Sequence, residues 1–197
     1  SEVGLAQCDS DFLKTHVTEE KMSFQNLYNS KDIVASFEVF EHLSDNLEKF
    51  YLGELKKISN EYILLGLPYE EVLSKRNVVC DSCGYDGHIY GHLRSYDFDK
   101  FSKIFGEQFQ LIEYKLCGAT EIDFKQSHYD LAKRMGYKIL KFTCPQCVQE
   151  QNKITYRNRV KNKLIGTLLY NQKIFPTEIH PFWIVGVFKK VSLVENK

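Results

Sequence analysis

The chain has 197 residues, of which 43% are hydrophobic, and this composition supports one domain with a sizeable core. Lys and Arg together number 26, as do Asp and Glu, so the net charge gives no indication of a polyanionic partner. The first residues are acidic and lack the apolar core of a secretory signal, and the longest apolar runs, such as 182–188, are too short to cross a bilayer. We therefore expect a cytoplasmic protein that is not inserted in a membrane.

The segment 32–43, DIVASFEVFEHL, predicts a strand that ends in ionisable groups. The apolar and small residues 33–37 are typical of a strand buried on both faces of a parallel sheet. Glu38, Glu41 and His42 follow within five positions, and open α/β sheets bind their ligands just beyond the carboxyl ends of the strands. We expect these side chains to carry chemistry at that edge. The alternative is that Glu41 and His42 only begin a solvated helix.

The next segments predict a helix and a second strand. Apolar residues recur at helical spacing after the turn: Leu47, Tyr51, Leu55 and Ile58. The apolar run 62–67 then has the length and composition of another buried strand. Strand, helix and strand together form one right-handed crossover unit, which indicates an α/β fold.

Three segments together resemble the class I S-adenosylmethionine-dependent methyltransferases of the E-V-x-E-H-L branch: 32–43, YILLGLPYEE at 62–71, and GHLRSYDFDKFSKIF at 91–105. In that family they correspond to the fourth strand and its turn, the fifth strand, and a Gly-His-x-Arg segment. The resemblance implies a Rossmann-like, mostly parallel sheet with an antiparallel edge pair, for which segments 109–116 and 182–191 are the expected strands. It also implies methyl transfer from S-adenosylmethionine, with a hydroxyl group as the expected acceptor.

The resemblance assigns cofactor contacts as well. Asp9 matches the acidic residue that holds the ribose hydroxyls, since a carboxylate accepts two hydrogen bonds, although a plain helix cap is the alternative. Asn26 lies near the position of a polar residue beside the adenine, and Phe37 and Glu38 are the expected contacts at the fourth strand. The family's first strand ends in a glycine-rich turn, of which residues 2–4 resemble only the opening. We therefore expect the single domain to be N-terminally incomplete in this sequence.

The sequence has two Cys-x-x-Cys pairs: Cys80 with Cys83, and Cys144 with Cys147. Two thiolates at this spacing can grip one tetrahedral zinc ion, and Gly84 permits the tight turn of the first pair. Such pairs in a cytosolic chain bind metal more often than they form disulfides. We predict a structural four-thiolate zinc site that staples an insertion at about 78–92 to another at about 118–180. Free or redox-active thiols are the alternative, and His88 or His92 can replace a cysteine as ligand.

The expected catalytic residues match a second metal site in some relatives of the family: Glu38, Glu41, His42 and His92. Small-RNA 3′-terminal 2′-O-methyltransferases hold a divalent metal with such a set, and quinone-pathway O-methyltransferases resemble the chain at the same turn. This resemblance implies a second divalent metal that acidifies and orients the acceptor hydroxyl. Without a metal, His42 or His92 is the expected general base. The alternative is that His92 and Arg94 only hydrogen-bond their loop.

The acceptor is not identified by the sequence. A small molecule or a glycan is the first expectation, RNA is the alternative, and a non-catalytic zinc-containing binding module is a third hypothesis. Within the long insertion we predict a helix at 125–135, a strand at 138–142 and a basic helix at about 150–170. The basic helix is interpreted as a solvated face, or alternatively as a contact for a phosphate-bearing acceptor.

Overall fold

The computed structural model describes residues 28–118, 121–124, 126–137, 139–169 and 177–191. The predictions for Asp9, Asn26 and residues 2–4 lie outside the described residues. None of the described helices is both long and apolar enough to cross a membrane.

The described part of the central sheet has four strands: β1 (Lys31–Phe37), β2 (Ser59–Pro68), β5 (Phe109–Cys117) and β10 (Trp183–Lys190). Their spatial order is β1-β2-β10-β5. Strand β1 pairs with β2 in parallel, whereas β10 pairs antiparallel with both β2 and β5. The predicted mixed α/β class and the antiparallel pair at one edge are therefore confirmed.

Helix α1 (Asp45–Ile58) connects the two parallel strands, as the periodicity predicts. Its N-cap residue is Ser44, although the Ser44 side chain makes no capping hydrogen bond. Leu55 and Ile58 are buried against the sheet, and the helix ends where Ser59 begins β2. The crossover places the carboxyl ends of β1 and β2 side by side, where Phe37 pairs with Gly66.

The core lies between this sheet and its helices, and four phenylalanine rings form its centre: Phe101, Phe105, Phe109 and Phe188. Helix α2 (Phe98–Ser102) contributes the first of them. A Cβ atom at Gly186 of β10 would lie 2.7 Å from the Phe101 ring, so this position requires glycine. The cap of α2 is Asp97, whose Oδ1 accepts a hydrogen bond from the Lys100 N–H at 2.8 Å.

Strand β1 differs from the expectation that it is buried on both faces. Ser36 is buried, but Ile33 and Phe37 are 60% and 48% exposed. The physical reason is the position of the strand, because among the described strands β1 has β2 as its one neighbour.

The remaining described strands form three short antiparallel pairs, of which two are hairpins and the third joins segments distant in the chain. Strand β3 (Asn77–Val79) pairs with β4 (Asp86–His88), β6 (Glu121–Phe124) with β9 (Thr177–His180), and β7 (Lys141–Thr143) with β8 (Glu150–Asn152). Helix α3 (Gln126–Arg134) lies between β6 and β7 in the chain, and helix α4 (Tyr156–Leu169) lies between β8 and β9. The strand predicted at 138–142 corresponds to β7, which is shorter than predicted and begins later in the chain. The prediction of a helix from about 150 is wrong at its start, because residues 150–152 close the β7–β8 hairpin.

Candidate functional site

The turn after β1 is built from an unusual backbone conformation. Glu38 has a φ angle of +54°, and its N–H donates to the Gly66 carbonyl of β2 at 3.1 Å. A non-glycine residue in this left-handed region is uncommon and strained. A 3-10 turn, Phe40–His42, follows directly, with Phe40 fully buried in the core. Phe40 therefore anchors the turn, and Glu41 is carried into the interior beside it.

Glu41 is a carboxylate buried in the interior. Its side chain has no exposed surface, and neither carboxylate oxygen has a hydrogen-bond partner among the described residues. Burial is the main cause that raises the pKa of Glu41 to about 7, and the nearby Glu38 carboxylate adds to this rise. An unpaired polar group in the interior is costly, so this position favours a ligand that can bind a carboxylate.

Two histidines face Glu41. The three side chains each offer a ligand atom, and these atoms all lie within 4.8 Å of one another. His42 Nε2 is 3.7 Å from Glu41 Oε1, and the His42 and His92 rings meet edge to face with their centroids 4.8 Å apart. Burial and the neighbouring His92 lower the pKa of His42 below its usual value. His42 is therefore held neutral near pH 7, with a lone pair available for a proton or a cation.

Glu71 is a member of this region that the sequence reasoning missed. It follows β2, and its Oε2 lies 2.5 Å from His92 Nδ1 while its Oε1 lies 3.2 Å from His88 Nε2. Burial alone would raise the pKa of Glu71, but the close contacts with His88 and His92 outweigh it and lower the pKa to about 2. Glu71, His88 and His92 also have ligand atoms within 4.8 Å of one another. Two signals pointed here: a carboxylate at the end of a parallel strand, and the spacing of the two histidines.

Glu38 does not belong to the compact group formed by Glu41, His42 and His92, as far as the described residues show. Burial raises the pKa of Glu38, and a hydrogen bond with Trp183 partly lowers it. Phe37 lies at the same end of β1, where its ring covers Gly66. The structure thus brings three of the four expected catalytic residues together and leaves Glu38 on the adjoining turn.

Arg94 has a local structural role, in agreement with the alternative raised for it. Its guanidinium group bonds Glu48, donates to the Leu43 carbonyl at 2.6 Å, and reaches Asp45 Oδ1 at 2.8 Å. These contacts fix the start of α1 against the segment that carries His92. Arg94 therefore stabilises the turn, and its guanidinium group is engaged in hydrogen bonds and ion pairs with these residues.

The four cysteines of the two pairs come together on the β3–β4 and β7–β8 hairpins, with all four sulfur atoms within 4.8 Å of one another. Cys80 Sγ lies 3.7 Å from Cys147 Sγ, and Cys83 Sγ lies 3.6 Å from Cys144 Sγ. A tetrahedral zinc ion with Zn–S bonds of about 2.3 Å requires sulfur atoms about 3.8 Å apart. The sulfur positions therefore fit one zinc ion.

The two hairpins repeat one backbone pattern. The Cys80 N–H donates to the Tyr85 carbonyl at 2.8 Å, and the Cys144 N–H donates to the Gln149 carbonyl at 3.0 Å, five residues on in both cases. Gly84 and Val148 occupy equivalent positions with φ angles of +76° and +59°. Each pair is thus a knuckle of the same geometry, with a valine in the second where the first has glycine.

The thiols influence one another's ionisation. Burial would raise the pKa of Cys80, but the backbone N–H groups of Cys83 and Ser82 outweigh it and lower the pKa to about 6. At Cys83 the Tyr85 N–H lowers the pKa, yet partial loss of hydration beside the cluster and the contacts with the three neighbouring thiols together outweigh it and raise the pKa to about 12. Ionisation of Cys80 is therefore favoured, whereas ionisation of Cys83 beside it is opposed. A bound divalent cation would neutralise the repulsion between the thiolates.

Polar contacts join the two knuckles independently of any metal. Gln151 is buried, accepts from the Asp81 N–H at 3.3 Å and donates to Ser82 Oγ at 2.9 Å. Lys153 Nζ donates to the Val79 carbonyl and to Asp81 Oδ1, both at 2.8 Å. His88 and His92 bind Glu71, so the idea that one of them replaces a cysteine has no support in this geometry.

Comparison with known proteins returns little. No protein family matches the chain, and no curated protein matches it either. Among solved structures, the chain is similar to the crystal structure of a SAM-dependent methyltransferase from Archaeoglobus fulgidus, with 17% sequence identity and a TM-score of 0.37. The match covers 81% of this chain and 59% of that chain, so this chain spans less than two thirds of the other protein. The function is therefore inferred from the site itself.

Proposed function

We propose that this chain is an S-adenosylmethionine-dependent methyltransferase that methylates an acceptor hydroxyl and carries a structural zinc ion. The observation that carries the proposal is the compact group of Glu41, His42 and His92 at the carboxyl end of the parallel β1–β2 pair, in which Glu41 is buried and His42 is exposed. Open α/β sheets bind their ligands at this edge. The three segments that resemble the methyltransferase family converge on the same place.

The residues divide the work as follows. S-adenosylmethionine, when bound, supplies an electrophilic methyl group. Phe37 and Glu38 lie at the end of β1, where the half-exposed ring and the carboxylate can contact this donor, and Asp9 and Asn26 remain the proposed ribose and adenine contacts. His42 is the proposed proton acceptor, because its lowered pKa keeps it neutral and its side chain is 42% exposed at the mouth of the group.

A divalent cation beside the acceptor is the second candidate, and the unpartnered Glu41 carboxylate favours it. One carboxylate and two imidazoles are suitable ligands for magnesium, manganese or zinc. Glu41, His42 and His92 would hold the cation, whose chemistry is to acidify and orient an acceptor hydroxyl. This arrangement suits a diol such as a sugar or the ribose at an RNA 3′ end, with a small molecule or glycan as the first expectation.

Calorimetry with S-adenosylmethionine and S-adenosylhomocysteine tests the proposal. We expect both to bind the zinc-loaded protein, with weaker binding by a Glu38→Ala variant. A folded, zinc-loaded protein that binds neither compound would instead favour a non-catalytic zinc-containing module. Addition of manganese to an acceptor-methylation assay separates the two candidates, because a metal-assisted enzyme gains activity and one that relies on His42 alone does not.

The zinc proposal rests on the four sulfur atoms and their near-tetrahedral spacing. Elemental analysis of the purified protein tests it directly. We expect bound zinc that is retained on dialysis. A protein that is folded but free of metal would contradict the proposed structural zinc site.

A further inference from the structure

We infer that Glu71 is a positioning residue that fixes the proton of His92 on Nδ1 and thereby presents an unprotonated Nε2 to Glu41 and His42. The inference rests on the proposed role of the Glu41–His42–His92 group and deepens it. Neither the sequence motifs nor the resemblance assigned a role to Glu71.

The hydrogen bonds of His88 determine which nitrogen of its ring carries the proton. Its Nδ1 lies 3.4 Å and 3.3 Å from the backbone N–H groups of Tyr90 and His92, both of which are donors. A neutral imidazole has one donor and one acceptor nitrogen, so Nδ1 is the acceptor and Nε2 carries the proton. Nε2 lies 3.2 Å from Glu71 Oε1, an electrostatic contact whose direction does not complete a hydrogen bond. One oxygen of Glu71 is thus adjacent to a side chain that the backbone itself orients.

The second step is the state of His92. Its Nδ1 lies 2.5 Å from Glu71 Oε2, a separation that two acceptors cannot adopt without a proton between them. Arg76 Nε, 3.8 Å from Glu71 Oε1, favours the carboxylate form, so the proton belongs to His92 Nδ1. His92 Nε2 is then the acceptor nitrogen, because a neutral imidazole has one of each.

The third step distinguishes the two groups that have ligand spacing. In the group of Glu71, His88 and His92, the carboxylate oxygens already face imidazole nitrogens. In the group of Glu41, His42 and His92, both carboxylate oxygens are buried without partners among the described residues. A cation is therefore expected on the Glu41 side, with Glu71 behind His92. Such carboxylate–histidine–metal arrangements fix the ring and raise its basicity as a ligand.

The packing around His92 supports a fixed ring. The His88 and His92 rings stack with their centroids 4.5 Å apart at an interplanar angle of 24°. His88 is the last residue of β4, so the hairpin that carries Cys80 and Cys83 also delivers this support. His88 and Glu71 together determine which nitrogen of His92 faces the site.

Two measurements test the inference on the zinc-loaded protein. Long-range proton–nitrogen NMR of the 15N-histidine-labelled protein at alkaline pH reports which nitrogen of each imidazole is protonated, and a His92→Gln variant assigns the signal. We expect His92 to carry its proton on Nδ1, and to populate both tautomers in Glu71→Ala. Paramagnetic resonance of free Mn²⁺ should show binding about 10- to 100-fold weaker in Glu71→Ala than in the wild type.

The matched control is Glu70→Ala, which removes an exposed carboxylate one position away and should change neither readout. If Glu71→Ala does not fold, Glu71→Gln replaces it: its amide has one acceptor for two imidazole donors, so the signal of His88 or His92 must change. A wild-type His92 protonated on Nε2, or variants in which the tautomers of both histidines are unchanged, would overturn the inference. Failure of the wild type to bind Mn²⁺ would remove the cation candidate alone, because the tautomer measurement does not depend on it.

Discussion

Replacement of Glu41 by glutamine should stabilise the metal-free fold in a strongly pH-dependent way. The pKa of Glu41 rises from an ordinary value of 4.5 to about 7 in the folded state because the carboxylate is buried and has no hydrogen-bond partner in the part of the chain that the structure describes. The unfolded chain therefore releases this proton at lower pH than the folded chain, and stability falls as the pH rises from 4.5 to 7. At about 1.4 kcal/mol for each pH unit, the loss reaches roughly 3 kcal/mol above pH 7.

Glu41→Gln removes the ionisation but keeps the shape, so the protonated wild type is its reference. We expect the two proteins to be equally stable near pH 4.5, and the variant to be more stable by about 3 kcal/mol at pH 8. Urea unfolding followed by circular dichroism from pH 4.5 to 8, without added divalent cation, measures the difference. Addition of Mn²⁺ should stabilise the wild type and leave the variant unchanged.

Glu54 offers the matched control for this experiment. It is 2% exposed, yet it accepts from the Tyr28 hydroxyl at 2.7 Å and from Lys57 Nζ at 2.9 Å. Glu54→Gln loses an ion pair, so it should reduce stability or leave it unchanged at pH 8. An equal gain from both variants, or a gain at Glu41 that does not depend on pH, would refute the assignment of Glu41 as an unpartnered buried acid.

Three further predictions concern the zinc site and the fold. Cys80→Ser should abolish zinc binding by elemental analysis, while Cys117→Ser, outside the cluster, should retain the metal. Val148→Gly should raise the free energy of unfolding by about 1 kcal/mol in denaturant titration, because it replaces a β-branched residue that has a left-handed backbone. Gly84 occupies the equivalent position of the other knuckle. A loss of stability would contradict this prediction. Asp97→Ala should cost about 1 kcal/mol by the same titration, because α2 loses its capping carboxylate, and an unchanged midpoint would exclude that role.

The regular elements of the central sheet could be predicted because their apolar residues follow a clear period. Helix α1 and strands β2, β5 and β10 lie within one to three residues of the expected segments. The three-residue strands of the knuckles could not be predicted, because so short a strand has no periodicity to detect. The helix predicted from about 150 was extended over β8 for that reason.

The candidate site was predictable only where a motif brings its residues together. The cysteine pairs share one metal geometry although the paired residues are 61 and 67 positions apart, because the chemistry of Cys-x-x-Cys is local and specific. Glu41 and His42 are neighbours in the chain and were found. Glu71 acquires its role only through tertiary contact with His92, 21 positions later, and no sequence period records that contact.

Unfavourable features are concentrated at one edge of the sheet. Glu38 and Glu70, which follow the ends of β1 and β2, both have left-handed backbones, with φ angles of +54° and +47°. Glu41, three residues beyond Glu38, is buried without a partner among the described residues. Each such feature costs on the order of 1–3 kcal/mol, and a chain that only had to fold could avoid all three with ordinary residues. Their concentration at the carboxyl ends of parallel strands is therefore best explained by a ligand that binds there and compensates for them.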